Sequence, residues 1–195
     1  MALTELIEEI NKCQKQWFYL EPIFASEDIG KTLAQETAAF IEVDKSWRKT
    51  MEEVEAEPGI LELGERDSMH QIFINNNRNL EKIQRSLNEY LEQKRLVFPR
   101  FYFLADSDLL MILAQTKDPT LVQSHMDKCF EGIQKVMFSD KMEVFGMISA
   151  EGEEVLMNTK INVNEGDKKG NVEKWMLEIE RVMVSSLKQL TKESI

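Results

Sequence analysis

Apolar side chains recur every three or four residues along most of the chain, which is the spacing of one face of an α-helix. The first apolar stripe covers Leu3–Leu20, and Pro22 is predicted to end that helix. A second helix is predicted over Leu33–Glu55, and Glu57–Gly59 (Glu-Pro-Gly) breaks the pattern after it. The third and longest helix is predicted over about Arg66–Arg95.

The middle of the chain is divided by prolines. Phe98–Leu104 is dense in aromatic side chains without helical spacing, so an extended or tightly turned segment is predicted. A short helix with a capping Asp or Ser at its start is expected over about Asp106–Gln115. Asp118-Pro119 then indicates another helix start, because proline is favoured at the first helical position. The predicted stripe of that helix comprises Leu121, Val122, His125, Met126, Cys129, Ile133 and Val136.

The period of the pattern changes from helical to two residues near position 142. Over Met142–Ala150 a set of Met142, Val144, Gly146, Ile148 and Ala150 alternates with Glu143, Phe145, Met147 and Ser149. After Glu151–Glu153 (Glu-Gly-Glu) the alternation resumes over Val155–Val163, which predicts a β-hairpin over residues 142–163. Asn164–Gly170 is a polar loop, and a last helix is predicted over 171–192. The prediction is therefore a mainly α fold: about six helices, helical over 3–139, with one inserted hairpin and no boundary between two domains.

Charge and composition narrow the function classes. The net charge of the 195 residues is −11, which disfavours nucleic acid and anionic membrane as partners because both are negatively charged. The apolar runs are far shorter than a membrane span, and Met1–Ile10 lacks the pattern of a secretory signal. Cys13 and Cys129 are thus expected as free thiols in a reducing, intracellular compartment.

Motifs with catalytic or ligand-binding potential are weak. Gly30–Thr32 (Gly-Lys-Thr) resembles the end of a phosphate-binding loop, but Ala25 stands where that motif requires glycine. Glu27 and Asp28 would also repel the phosphates inside the loop. The segment is therefore predicted to be a polar turn before a helix, with no cofactor in this chain.

The other candidate sites in the sequence are better interpreted as structural residues. His125 and Cys129 are four residues apart and share a helix face, yet no second pair of ligands completes a zinc site. The carboxylates occur mainly in runs, such as Glu52–Glu55, that are typical of a solvated surface. The aromatic segment Phe98–Phe103 could stack nucleic-acid bases, but its acidic surroundings favour a core junction between helices. The 11 methionines favour adaptable core packing, with a groove for a partner helix as the alternative.

Several ordered sequence blocks together cover nearly the whole chain: Trp17–Phe24, Tyr90–Arg95, Phe98–Leu104, Leu109-Leu110, Ile112-Leu113, Lys117–Pro119, Val122-Gln123, His125, Lys128–Ile133, Glu151–Glu153, Asn171–Glu173 and Trp175. These blocks resemble the linker of dynein heavy chains. Ala105, where the family commonly has Ser, and Ser124, where it has Pro, are small departures. Glu21-Pro22 and Lys117–Pro119 resemble axonemal more than cytoplasmic members.

The resemblance implies a mechanical role. In dyneins the linker arches over a ring of six AAA+ modules, which bind ATP and Mg²⁺, and it switches between straight and bent shapes. The implied partners are that ring, the remaining linker and, through the parent motor, microtubules in the axoneme of a cilium or flagellum. A linker hairpin contacts ring inserts in the bent state, which implies a contact set of Phe145, Met147, Glu151, Gly152 and Glu153. The structural junction of the lever would comprise Phe98, Pro99, Arg100, Phe101, Tyr102 and Phe103.

Two flexible points are expected in such a lever, Glu57–Gly64 and Phe98–Asp106. Two rival functions remain open from the residues alone. One is a free-standing helical scaffold or adaptor that binds a partner helix, and the other is an enzyme that uses clustered carboxylates. The adaptor requires a complete protein with a specific partner. The enzyme requires a pocket with perturbed acids, which the sequence does not indicate.

Overall fold

The computed structural model describes residues 3–56, 67–114 and 118–195, and in these ranges it has seven α-helices and one antiparallel sheet. The chain divides into two compact units, Met1–Glu89 and Tyr90–Ile195, which the sequence pattern did not predict. None of the described helices combines the length and the apolar content needed to cross a membrane. The mainly α class with an inserted hairpin is confirmed.

The first unit is helical in its described part. Its helices are α1 (Leu3–Phe24), α2 (Glu27–Thr32), α3 (Ala34–Ala56) and the start of α4 (Asp67–Val97). The predicted end at Pro22 is wrong by two residues. Proline's fixed φ fits a helix, and its missing N–H and its ring disturb only the last turns of α1, which ends at Phe24. Ala25 N donates to Glu21 O at 3.0 Å and closes the last turn. The predicted polar turn before α3 is also wrong, since α2 is helical.

Three asparagines with low helix propensity, Asn75–Asn77, lie inside α4. Two of them form hydrogen bonds between helices: Asn76 Nδ2 donates to Ser46 Oγ at 3.1 Å, and Asn77 Nδ2 donates to Glu9 O at 3.0 Å. Both asparagines are buried. Tertiary hydrogen bonds to α3 and α1 therefore offset the weak local preference. The predicted break at Glu57–Gly59 and the predicted flexible point Glu57–Gly64 lie outside the described residues.

The second unit holds the end of α4 and the remaining elements. Three short 3₁₀ turns, Pro99–Phe103, Pro119–His125 and Gly166–Lys168, separate them. The regular elements are α5 (Asp106–Leu113), α6 (Met126–Cys129), β1 (Ile133–Phe138), β2 (Glu143–Ser149), β3 (Glu154–Asn162) and α7 (Val172–Glu193). The predicted end of α5 near Gln115 lies outside the described residues.

The helix predicted to continue to Val136 is wrong. The chain leaves α6 through Gly132, whose φ of +82° interrupts helical backbone, and enters β1. The three-residue spacing of Ile133 and Val136 fits a helix, but both residues pair with β2, with Val136 opposite Met147. Asp118 and Pro119 do mark a start, that of a 3₁₀ turn in which Asp118 Oδ1 accepts from Thr120 N at 3.0 Å.

The sheet has the order β1-β2-β3 and is antiparallel throughout. The outer edge of β1 is covered by a side chain, that of Gln123. Its Nε2 donates to Val136 O at 2.7 Å, and its Oε1 accepts from Val136 N at 2.9 Å. A carboxamide presents the same donor and acceptor as a peptide group, so Gln123 extends the hydrogen-bond ladder by one position. Helix α7 packs against β3.

Candidate functional site

The tip of the hairpin between β2 and β3 is a compact polar turn. Ser149 Oγ accepts from the backbone N–H groups of Glu151 at 3.2 Å and Glu153 at 3.0 Å. Gly152 has a φ of +85°, which favours glycine over any residue with a side chain. Glu151 and Glu153 are exposed. The turn therefore presents two carboxylates to solvent on a backbone that is fixed by its own hydrogen bonds.

The other two residues of the predicted contact set lie inside the sheet. Met147 is only 5% exposed, and Phe145 is half-buried. Between them, Gly146 has no room for a side chain, since a Cβ atom would lie 2.7 Å from Met137 Sδ and 3.1 Å from Val155 O. The structure thus brings Glu151, Gly152 and Glu153 together at the surface, whereas Met147 supports the hairpin from its core.

A large bulge in β3 lies below the tip. From Val144 to Gly146 strand β2 advances two residues, whereas their partners Ile161 and Leu156 are five residues apart. The bulged segment contacts α7 through Asn158. Asn158 N donates to Ser186 Oγ at 2.9 Å, Ser185 Oγ donates to Asn158 Oδ1 at 3.2 Å, and Asn158 Nδ2 donates to Gln189 Oε1 at 3.4 Å. Sequence reasoning missed this contact. The polar run Asn158–Lys160 within an alternating strand was the available signal.

The predicted junction is the 3₁₀ turn Pro99–Phe103 together with Phe98. Phe98 and Phe101 are fully buried and meet edge to face, with ring centroids 4.9 Å apart. Tyr102 and Phe103 face outward and are 52% and 72% exposed. A 3₁₀ turn places residues three apart on one side, which separates an inner pair from an outer pair. The junction is therefore anchored in the core and also offers an aromatic surface.

Two arginines fasten the junction. Arg95 Nη2 donates to Leu104 O at 3.3 Å and pairs with Asp106 Oδ1 at 2.6 Å. Arg100 Nε donates to Glu180 Oε1 at 2.9 Å, and its Nη1 donates to Cys129 O at 3.1 Å. Arg100 also stacks on Phe130, with 4.9 Å from the guanidinium carbon to the ring centroid. Arg100 thereby joins the junction to α6 and α7.

A buried ion pair joins the end of α4 to the start of α7. Lys94 Nζ lies 2.6 Å from Glu173 Oε1, and the two side chains are 15% and 4% exposed. Tyr90 lies beside them, with its ring centroid 5.3 Å from Lys94 Nζ. Burial, reinforced by the negative charge of Glu173, raises the pKa of Tyr90 to about 12. Sequence reasoning missed this pair, because Lys94 and Glu173 are distant in the chain.

The tryptophan-led segment belongs to the first unit. Trp17 Nε1 donates to Asp44 Oδ1 at 2.9 Å, and Arg48 lies over the Trp17 ring at 5.2 Å. Trp17 also stacks on Trp47 with 5.9 Å between ring centroids, and Trp47 meets Phe73 edge to face at the same distance. These side chains form an aromatic core between α1, α3 and α4.

The residues with weak catalytic or ligand-binding potential in the sequence have ordinary structural surroundings. Lys31 pairs with Glu27 at 2.5 Å within α2, and the segment that resembled a phosphate-binding loop is helical. Burial raises the pKa of Cys13 and of Cys129 to about 12, so both thiols stay protonated at neutral pH. Among the described residues there is no group of three or more His, Cys, Asp or Glu side chains arranged to hold a metal ion.

Comparison with known proteins gives a consistent result. Residues 1–194 match the family model described as "Dynein heavy chain, N-terminal region 2". The chain is 45% identical to mouse (Mus musculus) "Dynein axonemal heavy chain 3" over 195 residues, which are 100% of this chain and 5% of that protein. It is 42% identical to the rat (Rattus norvegicus) "Dynein axonemal heavy chain 1" over 191 residues, or 98% of this chain and 4% of that protein. For the human (Homo sapiens) "Dynein axonemal heavy chain 12" the identity is 43% over 187 residues, or 96% of this chain and 6% of that protein. The chain thus spans about one twentieth of the length of these relatives.

Proposed function

Since this chain belongs to the dynein heavy chain family and matches its N-terminal region 2, we propose that it is a mechanical element of the linker of an axonemal heavy chain. In this role it couples ATP-driven changes of the AAA+ ring to movement along microtubules, in the axoneme of a cilium or flagellum. ATP and Mg²⁺ bind the ring modules of the parent chain, not this part. The observation that carries the proposal is the match to axonemal heavy chains over essentially all of the 195 residues.

The hairpin tip supports this role as a contact point. Its turn is held by Ser149 and Gly152, so the exposed Glu151 and Glu153 keep a defined position. A lever transmits work only if its contacts differ between two states of the ring. We assign the hairpin tip to the contact that forms with the ring in the bent state, with Phe145 and Met147 supporting it from the sheet.

Motility of the complete motor tests this assignment. Glu151→Ser together with Glu153→Ser retains Gly152 and the turn while it removes both charges. We expect slower microtubule gliding with little change in basal ATP hydrolysis, because the contact and not the catalytic ring is altered. Glu131→Ser with Glu165→Ser is the matched control, since it removes two exposed carboxylates elsewhere in the same unit. Equal gliding velocities for the two double variants would overturn the assignment.

The exposed part of the junction supports a second contact within the heavy chain. Leu96, Tyr102 and Phe103 are all more than half exposed. We assign this surface to the remaining linker of the same chain. The alternative function, a free-standing adaptor, would use the same surface for a partner helix. The transcript beyond the codon of Ile195 separates the two: downstream AAA+ modules with phosphate-binding loops support the lever, and a nearby stop codon supports the adaptor.

We also propose that this chain has no ATPase activity of its own. Lys31 lies in helix α2, and not in a glycine-rich loop whose backbone N–H groups could surround a phosphate. Purified 195-residue chain is expected to leave ATP intact under conditions in which the complete motor hydrolyses it. Hydrolysis at a measurable rate, retained after Lys31→Ala, would point to a catalytic site elsewhere in this chain.

A further inference from the structure

The bulge of β3 contains a backbone N–H group that needs a hydrogen-bond acceptor outside the sheet. Residues 157–160 lie between the two registers of β2 and β3, because these four residues of β3 oppose a single residue of β2, Phe145. A backbone N–H that leaves a ladder needs another acceptor, or it remains without a hydrogen bond. For Asn158 that acceptor is Ser186 Oγ, at 2.9 Å.

The hydroxyl of Ser186 suits this position because it acts as a hydrogen-bond donor and as an acceptor at the same time. It donates to Val182 O, one helical turn earlier, at 2.8 Å, which leaves its lone pairs for the N–H of Asn158. Ser186 is 2% exposed, so water does not readily replace it. The neighbouring Ser185 also contacts Asn158, but through side chains only and at an exposed position.

Helix α7 is fixed independently of the hairpin. Glu173 and Glu180, seven residues apart and therefore on one face, pair with Lys94 and Arg100. Ser186 lies six residues beyond Glu180, which is about 9 Å along a helix. A helix held in this way gives Ser186 a defined place relative to the junction.

From these contacts we infer that Ser186 is a positioning residue, which fixes the hairpin on α7 by accepting the unpaired N–H of the β3 bulge. The position of the hairpin is then fixed relative to α7 and, through the pair of Glu180 and Arg100, relative to the junction. The relevance of this link to movement rests on the proposed function, but the link itself does not.

Hydrogen exchange of the Asn158 amide in the full 195-residue chain tests the inference. In Ser186→Ala the amide loses its acceptor, and we expect its exchange to accelerate about 10- to 100-fold, the usual effect of losing such a hydrogen bond. Ser185→Ala and Asn158→Ala are the controls, since both keep the bond from Asn158 N to Ser186. In each control we expect acceleration of no more than about twofold at position 158.

The outcomes distinguish positioning from general stability. Faster exchange confined to residues 157–160, with α7 and the amides of unit Met1–Glu89 unchanged, supports the inference. Equal acceleration across the second unit, or no difference between Ser186→Ala and Ser185→Ala, overturns it. If Ser186→Ala accelerates exchange at residues 157–160 but gliding by the complete motor is unchanged, the positioning role stands and the proposed function of the hairpin fails.

Discussion

The buried ion pair of Lys94 and Glu173 gives a sharp test of how the second unit is held together. Glu173→Gln keeps the shape of the side chain but removes its charge, which leaves the Lys94 ammonium buried without a counter-charge. The two side chains are 15% and 4% exposed, so water can compensate only slightly. Breaking a buried pair from one side costs about 3–5 kcal/mol. That cost is a large part of the about 5–15 kcal/mol by which folded domains are stable.

Urea denaturation, monitored by hydrogen exchange of peptides from Tyr90–Ile195, measures the change in stability of the second unit, which contains the pair. With a denaturant slope of about 2 kcal/mol per molar, the midpoint should fall by about 2 M. The double variant Lys94→Met with Glu173→Leu replaces the pair by apolar groups of similar size. We expect it to be within about 1 kcal/mol of the unchanged chain, or more stable, because no charge then remains buried.

An exposed pair serves as the control. Lys31 and Glu27 are 70% and 61% exposed, and Glu27→Gln is expected to change the free energy of unfolding by less than about 0.5 kcal/mol. A cost below about 1 kcal/mol for Glu173→Gln would refute the reasoning, because it would mean that Lys94 regains solvent when its partner is neutral.

Three other predictions follow from the junction, the hairpin and the buried titratable groups. Phe101→Ala, which empties a fully buried site, should lower the free energy of unfolding by about 3–5 kcal/mol, whereas Phe103→Ala at a site 72% exposed should cost less than about 0.5 kcal/mol; urea midpoints compare them. Gly146→Ala should cost about 1–3 kcal/mol because its Cβ would lie 3.1 Å from the fixed Val155 O and 2.7 Å from Met137 Sδ, and Met137→Ala in the same chain should recover only the part of that loss due to Met137 in the same assay. Cys13, Cys129 and Tyr90 have pKa values of about 12 in the folded chain, above those of unfolded groups, so the folded state keeps protons that the unfolded state loses. Stability should therefore be complete below about pH 8.5 and fall as the pH rises towards 12, and native thiols should resist alkylation at pH 8 until urea unfolds the chain.

Helical periodicity was sufficient where an element packs through one stripe. The apolar spacing of α7 and of α4 predicted both helices, and their observed bounds, Val172–Glu193 and Asp67–Val97, lie close to the expected ones. It failed at β1, where Ile133 and Val136 are three residues apart, a spacing that fits a helix. Both are buried in the strand because a register shift between Ile133 and Lys135 interrupts its alternation. The choice there depends on pairing with β2, and pairing with a later segment is not visible in a local window.

The candidate site was predictable only in part, for a similar reason. The turn at Glu151–Glu153 was found from Gly152 and the alternation around it. The alternation did not indicate that Met147 is buried, or that the bulge is held by Ser186. The pairing of Lys94 with Glu173 joins residues that are 79 positions apart, and only the folded chain brings them together. The contact role of the hairpin and the flexibility of the junction stay predictions.

The carboxamide of Gln123 also affects how this protein behaves at high local concentration. Open strand edges can recruit strands from neighbouring molecules, which leads to fibrous aggregates. Gln123 occupies both hydrogen-bonding groups of Val136 on the free side of β1. An approaching chain would have to displace that amide before it could add to the sheet there. One glutamine thus blocks strand addition at this position of the edge and lowers the tendency of the chain to aggregate through β1.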